Sequence, residues 1–217
     1  MMRQSIACIN MIKQQLRTNN INDEEILNFY KNYPREDFIP VSYKNFAYSD
    51  MHIPLDNKHV ILTPLEEAKI LQSGNFNAEQ VVVLTSAANV YLIALLSKFC
   101  KQVVIVDLCA NQIVTAKNIL AKFKIHNVDF LLQQDFELES LTDKYDAIIC
   151  PAALEQVPAN WLGLLKPVGK IFVAIGETTQ NAQWLIVDDS KITGHEFVFS
   201  THLPPLIATN IKSKFVF

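Results

Sequence analysis

The sequence predicts an α/β protein built on a doubly wound, Rossmann-like parallel sheet. Three observations predict it. An apolar run, Val81–Leu84, turns through the small residues Thr85-Ser86-Ala87-Ala88 into an apolar helical stretch. A second apolar run, Val103–Val106, follows and ends in Asp107. Strand, turn, helix, strand and acid in that order is the plan of a nucleotide-binding βαβ unit. Both runs are apolar on either face, as strands covered by helices on both sides are. Downstream, strand-like and helix-like segments keep alternating, which fits right-handed crossovers.

Residues 2–18 read as a first helix, because Ile6, Ile9, Ile12 and Leu16 recur at helical spacing before the Asn19-Asn20 pair. Asn22 is the expected N-cap of a second helix, with Glu25 completing a capping box and Ile26, Leu27, Phe29 and Tyr30 as its apolar face. Pro34 ends it. Prolines 34, 40, 54 and 64 rule out long helices over residues 34–65, and Phe38, Tyr43, Phe46 and Tyr48 suggest an extended, packed segment with short strands at most. Helix resumes from Glu66 to Gln72, with Gly74 as its stop. Strands are expected at 81–84, 103–107, 128–132, 146–150 and 170–175, and helices at 89–99 and 110–124. In the second of these helices Ile113, Ala116, Leu120 and Phe123 form one buried stripe. Two last strands, 184–187 and 195–199, are too close for a helical crossover. They form a hairpin through Asp188, Asp189 and Ser190 to Gly194. The expected organisation is one compact unit: residues 1–75 as helices and an extended segment, packed on a Rossmann-like domain at 76–217.

Composition narrows the function classes. The formal charge of −3, from 19 basic and 22 acidic residues without a block of either sign, gives no electrostatic support for nucleic acid or a membrane surface as partner. Runs of about 18 apolar residues are absent, as is a signal-peptide core, so the cytoplasm is the expected compartment. Cys8, Cys100, Cys109 and Cys150 have no metal-site spacing and read as buried, reduced thiols. His52 and His59 match no metal motif either. Nothing in the sequence sets the oligomeric state.

The residues leave several roles open. Asp107 ends its strand about 20 residues after the first turn, where an acid accepts hydrogen bonds from ribose hydroxyls. The plainer roles are a solvated strand end or a helix N-cap. Asp135 follows the third strand and suits either an exocyclic amine or a loop. Cys150-Pro151-Ala152-Ala153 follows the fourth strand, and its small residues leave room for a ligand or a substrate chain. The Cys150 thiol has no evident partner base and reads as core.

Several segments, in order, resemble the protein-L-isoaspartate O-methyltransferase family. Met11–Arg17 followed by Ile21-Asn22-Asp23 is similar to its opening "M…QLR…I.D". Tyr33–Pro40 resembles "VPRE.FVP", and Ala47–Asp50 with Ile53–Leu55 resembles "AY.D…LPI". Tyr145–Ile149, Ala152-Ala153 and Val157-Pro158 resemble "FD.I…AA…VP". Leu165–Lys170 resembles "LKPGG.", and Ala174–Gly176 resembles "PVG". The resemblance implies a seven-stranded methyltransferase sheet with an N-terminal helical extension and a C-terminal hairpin. It implies S-adenosylmethionine as cofactor, and methylation of the α-carboxyl of L-isoaspartyl residues in damaged proteins or peptides. Carried over by position, Thr85, Ser86, Ala88, Asp107, Leu108, Asp135 and Phe136 would meet the cofactor, Asp107 at the ribose and Asp135 at the adenine. Pro64, Cys150, Ala152 and Ala153 would meet the substrate.

The departures fall on the functional motifs. The family's "LEIGTGSGY" is Val83–Tyr91 here: its glycines become Ser86, Ala88 and Val90, and its acid becomes Leu84. Glycine serves unusual backbone angles and close approach to a ligand, and a β-branched Val90 resists positive φ. Aligning Pro64 with the family's "TISQP" puts Leu62 at the position of a serine implicated in catalysis. Thr63 is then the one hydroxyl able to replace it, if the loop shifts. "GDG" becomes Gln134-Asp135-Phe136. These losses predict weakened or lost activity. They set a second hypothesis beside the enzyme, a non-catalytic relative that binds a peptide or protein.

Overall fold

The computed structural model describes residues 5–55, 59–142, 144–176 and 179–206. Residues 2–4 of the expected first helix lie outside them. Helix α1 (Ile6–Met11) begins at Ser5, whose hydroxyl accepts from the Cys8 N–H. It continues as a π-helical stretch, Ile12–Leu16, and a 3-10 turn, Arg17–Asn19, that stops at Asn20 with φ 64°. The one expected helix is thus three segments. Thr18 Oγ1 and Asn19 Nδ2 donate to the carbonyls of Gln14 and Gln15, competing with the regular ladder. Helix α2 (Glu24–Asn32) is capped by Asp23, not by the expected Asn22; Asp23 accepts from the Glu25 and Ile26 N–H groups. Asn22 is held outside the helix because its N–H donates to Gln72 Oε1.

The proline-rich segment folds as 3-10 turns at Arg35–Asp37 and Val41–Phe46 and a two-stranded antiparallel pair, β1 (Ile53–Pro54) and β2 (Val60–Ile61). Helix α3 (Pro64–Gly74) starts two residues before the expected Glu66. Thr63 and Glu66 form a reciprocal capping box, and Pro64 occupies the first turn, where its missing N–H does no harm. Its end is set by Asn75 at φ 45°, one residue past Gly74.

The central sheet has seven strands: β3 (Val81–Leu84), β4 (Gln102–Asp107), β5 (Val128–Leu132), β6 (Tyr145–Leu154), β7 (Leu165–Ile175), β8 (Gln180–Asp188) and β9 (Lys191–Thr201). Their order is β5-β4-β3-β6-β7-β8-β9, parallel through β7 and antiparallel across the last two pairs. Helices α4 (Val90–Phe99) and α5 (Ala110–Lys122) follow β3 and β4, and a short α6 (Ala159–Gly163), which the sequence did not suggest, precedes β7. The terminal hairpin turns on Asp189 and Ser190, both at positive φ as tight hairpins of right-handed twist require.

Period-two alternation assigns the faces. Val82, Leu84, Val103 and Ile105 pack into one apolar cluster with α1–α4 and the buried face of α5. Val83, Val104 and Val106 point the other way, to Trp161, Phe136 and Leu141. Buried apolar area, at roughly 25 cal/mol per Å², is what holds both helical layers to the sheet.

A buried ion pair fixes the N-terminal segment. Arg35 reaches Glu67 through Nε and Nη2, each at 3.0 Å, and both side chains are fully buried. Two further N–H groups donate to the carbonyls of Ala47 (2.7 Å) and Leu62 (2.6 Å). Tyr30 closes the cluster by donating to Pro64 O.

One strained residue yields a first expected result. Val168, where the resembling motif has glycine, sits at φ 60° and is 75 % exposed. A β-branched side chain in this region costs about 1–2 kcal/mol, and little packing is lost on its removal. Val168→Gly therefore raises the unfolding free energy by about 1 kcal/mol, after offsetting the entropy glycine adds to the unfolded chain. An unchanged or lower denaturation midpoint would show the strain to be absent.

Candidate functional site

The strand order reverses between β3 and β6, and ligands of open α/β sheets bind at the carboxyl ends of strands at such a switch point. A cavity of about 260 Å³ lies there. Its floor is Asp107, 1 % exposed, at the end of β4. Oδ2 accepts from the Ala87 N–H at 2.7 Å and Oδ1 from the Cys109 N–H at 2.8 Å. One carboxylate thus pins the turns after both β3 and β4. Each oxygen keeps a further lone pair, since a carboxylate has about four acceptor sites.

The glycine-free turn closes on itself by side chains. The Ala88 N–H donates to Ser86 Oγ at 3.2 Å, and Asn89 Nδ2 donates to the same oxygen at 3.3 Å. Asn89 also accepts from the Leu62 N–H at 2.8 Å and donates to Val60 O, so it clasps the turn to β2. The described positive-φ residues all lie elsewhere: Ser86, Ala88 and Val90 hold negative φ, and Val90 is simply the first residue of α4. The substitutions that the motif would forbid are accommodated because this turn uses no left-handed residue.

Thr85, 3 % exposed, also lines the cavity, and its hydroxyl makes no hydrogen bond within the protein. The Cys150 thiol is close enough to be influenced by it but lacks hydrogen-bond geometry. Burial pushes that thiol up to about 11, with Thr85 and the Ala152 carbonyl opposing.

Of the residues singled out in the sequence, Thr85, Ser86, Asp107, Leu108, Phe136 and Ala152 line this one cavity. Ala88 is buried behind the turn and faces the groove beside Val90. Asp135 is outside the lining; its Oδ1 accepts from the Glu137 N–H and caps the turn. Cys150 is fully buried in the core beneath the sheet's carboxyl end. Ala153 contributes backbone only: its N–H donates to Pro204 O and its C=O accepts from the Leu206 N–H. Leu62 is fully buried in the core.

Thr63 faces a neighbouring cavity of about 310 Å³ with His52, Glu66 and Thr201. Here His52 Nε2 lies 2.7 Å from Glu66 Oε2, and Thr201 donates to Glu66 Oε1 at 2.6 Å. Pro64 is buried at the start of α3. The two cavities are lined by successive stretches of chain, His59 and Val60 in the first and Thr63 in the second, residues 204–206 in the first and 199–202 in the second, with no lining residue in common.

Sequence reasoning missed Asn89, Cys109 and the Pro204–Leu206 segment. Asn89 had a signal, an amide in a turn of small residues; the last segment had none, because its role depends on pairing with Ala153. Nor are all four thiols buried as expected: Cys109 is partly exposed at the cavity wall. Among the described residues no three His, Cys, Asp or Glu side chains are placed to hold a metal, and no helix is long and apolar enough to cross a membrane.

The His52–Glu66 pair gives stability a defined pH window. Burial disfavours the imidazolium, but the Glu66 hydrogen bond and charge outweigh it and raise His52 above its ordinary 6.5. Burial likewise disfavours the Glu66 carboxylate, but His52, Thr201 and the Thr63 N–H outweigh it and lower Glu66 below 4.5. The histidine's contribution is full below 6.5 and fades as pH rises through its raised value; the glutamate's is full above 4.5 and fades as pH falls through its lowered value. Both act together between those ordinary values. Stability should therefore fall in the native chain as pH rises from 6.5 through the raised histidine value, and fall less in His52→Gln. Equal slopes in urea titrations would refute the pairing.

Comparison with known proteins gives a consistent answer. The family model described as Protein-L-isoaspartate(D-aspartate) O-methyltransferase (PCMT) matches residues 8–202. A protein-L-isoaspartate O-methyltransferase from Aliivibrio fischeri is 29% identical over 170 residues, 78% of this chain and 82% of the relative. One from a second strain of that species is 26% identical over 198 residues, covering 91% and 95%. A solved Plasmodium falciparum structure, assigned to the same enzyme name and in complex with S-adenosyl-L-homocysteine, superposes with a TM-score of 0.74 at 17% identity, covering 94% of this chain and 99% of that one. A further solved protein-L-isoaspartate O-methyltransferase superposes with a TM-score of 0.74 at 20% identity, over 91% of this chain and 65% of its own. The α/β sheet with the acid at its switch point is therefore a methyltransferase fold, and the chain belongs to the protein-L-isoaspartate O-methyltransferase family.

Proposed function

We propose that the chain transfers a methyl group from S-adenosylmethionine to the α-carboxyl of L-isoaspartyl residues in proteins or peptides, in the cytoplasm. The observation that carries this reading is Asp107: a buried carboxylate with spare acceptor sites, on the floor of a cavity at the sheet's switch point. The family match supports the enzyme over the non-catalytic alternative, as does a turn whose backbone needs no left-handed residue where the glycines are missing.

The residues present fit the cofactor. Asp107 would accept from the ribose hydroxyls. Leu108 and Phe136 would sandwich the base, and the unpaired Thr85 hydroxyl supplies a polar contact that the protein itself leaves unmet. Bound S-adenosylmethionine supplies a methyl group on a sulfonium, electrophilic enough that a carboxylate oxygen attacks it without a base. The new bond is O–CH₃, the broken one S–CH₃, and no proton moves. What remains for the protein is to orient the acceptor and exclude water. Ala152 and Pro204–Leu206 would form the wall along which a substrate chain lies, and Thr63 lies one cavity away from the transfer. No carboxylate other than Asp107 faces the cleft among the described residues, and Leu84 is fully buried. The ammonium of the methionine end would thus rely on backbone carbonyls.

Incubation with methyl-labelled cofactor and an isoaspartyl peptide, against its aspartyl isomer, tests the reading. Base-labile methyl incorporation into the first alone is the expected result. No incorporation above background at high enzyme, with no calorimetric binding of S-adenosylhomocysteine at millimolar ligand, would overturn it.

A further inference from the structure

We propose that Cys109 is a modification site: its thiol enters mixed disulfides with low-molecular-weight disulfides, and this modification and nucleoside binding exclude one another. The proposal rests on the nucleoside reading of the cleft. Three of the four cysteines are removed from chemistry by burial, which pushes Cys8 up to about 11, Cys100 to about 12 and Cys150 to about 11. Cys109 differs in place and exposure. It is partly exposed, lies on the wall of the cavity, and precedes the first turn of α5, where its side chain accepts no capping hydrogen bond. Its backbone N–H is bound to Asp107 Oδ1, so the residue is anchored next to the carboxylate that would take the ribose.

An independent observation marks this cavity as a ligand site. The Thr85 hydroxyl, 3 % exposed, lines the same space without a hydrogen-bond partner in the protein, so a ligand or a water entering the cavity is what completes it. A thiol on the wall of such a cavity is shielded when the ligand is present and reachable when it is not. A tripeptide-sized adduct on Cys109 would occupy the space along this wall that a nucleoside needs.

The low-molecular-weight disulfide is the oxidant, and no other is needed. The Cys109 thiol gives up its proton and the sulfur attacks one sulfur of the disulfide. A protein–S–S–R bond forms, the R–S–S–R bond breaks, and the departing RS⁻ takes up a proton as RSH. A reducing thiol reverses it.

The test uses the full chain and oxidised glutathione. Peptide mass mapping should find the adduct at Cys109 and at none of the other three thiols. S-adenosylhomocysteine, at a concentration shown by calorimetry to saturate the unmodified chain, should slow adduct formation at least tenfold. The adduct should abolish the heat of S-adenosylhomocysteine binding, and reductant should restore it. Cys109→Ser, whatever its own affinity, should show the same S-adenosylhomocysteine affinity before and after exposure to oxidised glutathione. Equal modification rates with and without bound ligand, or unchanged ligand affinity after modification, would overturn the proposal alone. No binding heat from the unmodified chain would overturn the nucleoside reading and this proposal with it.

Discussion

Arg35→Met lowers the unfolding free energy by about 3–5 kcal/mol, the usual effect of removing one partner from a buried ion pair. The guanidinium satisfies both Glu67 oxygens and the carbonyls of Ala47 and Leu62. Without it the Glu67 carboxyl keeps the Tyr30 hydroxyl at 3.4 Å but faces the Glu66 charge unopposed, and two buried carbonyls lose their donor. Burial already pushes Glu67 upward against the pull of Arg35, so the variant's Glu67 takes up a proton. The deficit should therefore shrink as pH falls. A double variant, Arg35→Met with Glu67→Leu, should recover part of the loss, because no charge is then stranded. Equilibrium denaturation measures each. A single variant within about 1 kcal/mol of the native chain would show that the pair is not holding the N-terminal segment in place.

The second large effect is on ligand affinity. Asp107→Ala removes the acceptor proposed for the ribose and also the anchor of the Ala87 and Cys109 N–H groups. Hydrogen bonds to a charged group contribute about 1.5–3 kcal/mol each, and about 1.4 kcal/mol is tenfold in affinity. S-adenosylhomocysteine should bind roughly 10- to 100-fold more weakly per lost ribose contact. Asp107→Asn keeps one acceptor oxygen and turns the other position into a donor, which faces an N–H. It should fall between the native chain and the alanine variant. Calorimetric affinities that stay within a factor of two for Asp107→Ala would remove this residue from the site. Circular dichroism separates loss of contact from loss of fold.

How far each feature was legible follows from the range of the interactions that set it. Val81–Leu84 and the Asp107 strand end were legible because strand patterning and the βαβ plan are local. The hairpin was legible for the same reason, although its turn is only Asp189-Ser190. The start of α3 was misplaced even though Thr63 and Glu66 stand at capping-box spacing; a local signal was present and was not used. Thr85, Ser86, Leu108, Phe136 and Ala152 fell into the cavity because family position carries geometry. Asp135 did not, since its neighbour Phe136 enters the lining while its own carboxylate turns back to Glu137 N–H. The Asn89 clasp and the Arg35 cluster were illegible because their partners lie 12 to 32 residues away in sequence. The missing glycines looked prohibitive because φ was assumed positive there. In this turn Ser86 and Asn89 side chains do the closing instead.

The Thr201–Glu66 bond joins residues 135 apart, and Trp184–Ser73 and Lys170–Gly74 tie the same helix to the end of the sheet across 111 and 96 residues. A chain emerging from the ribosome at about 5–20 residues per second exposes the apolar face of α3 well before β7–β9 exist to cover it. Its first third must wait, partly formed, for its last. Closure of such long loops is slow, so folding of this molecule should be limited by the docking of the final hairpin, and a truncation before Gln180 should leave a chain that chaperones retain.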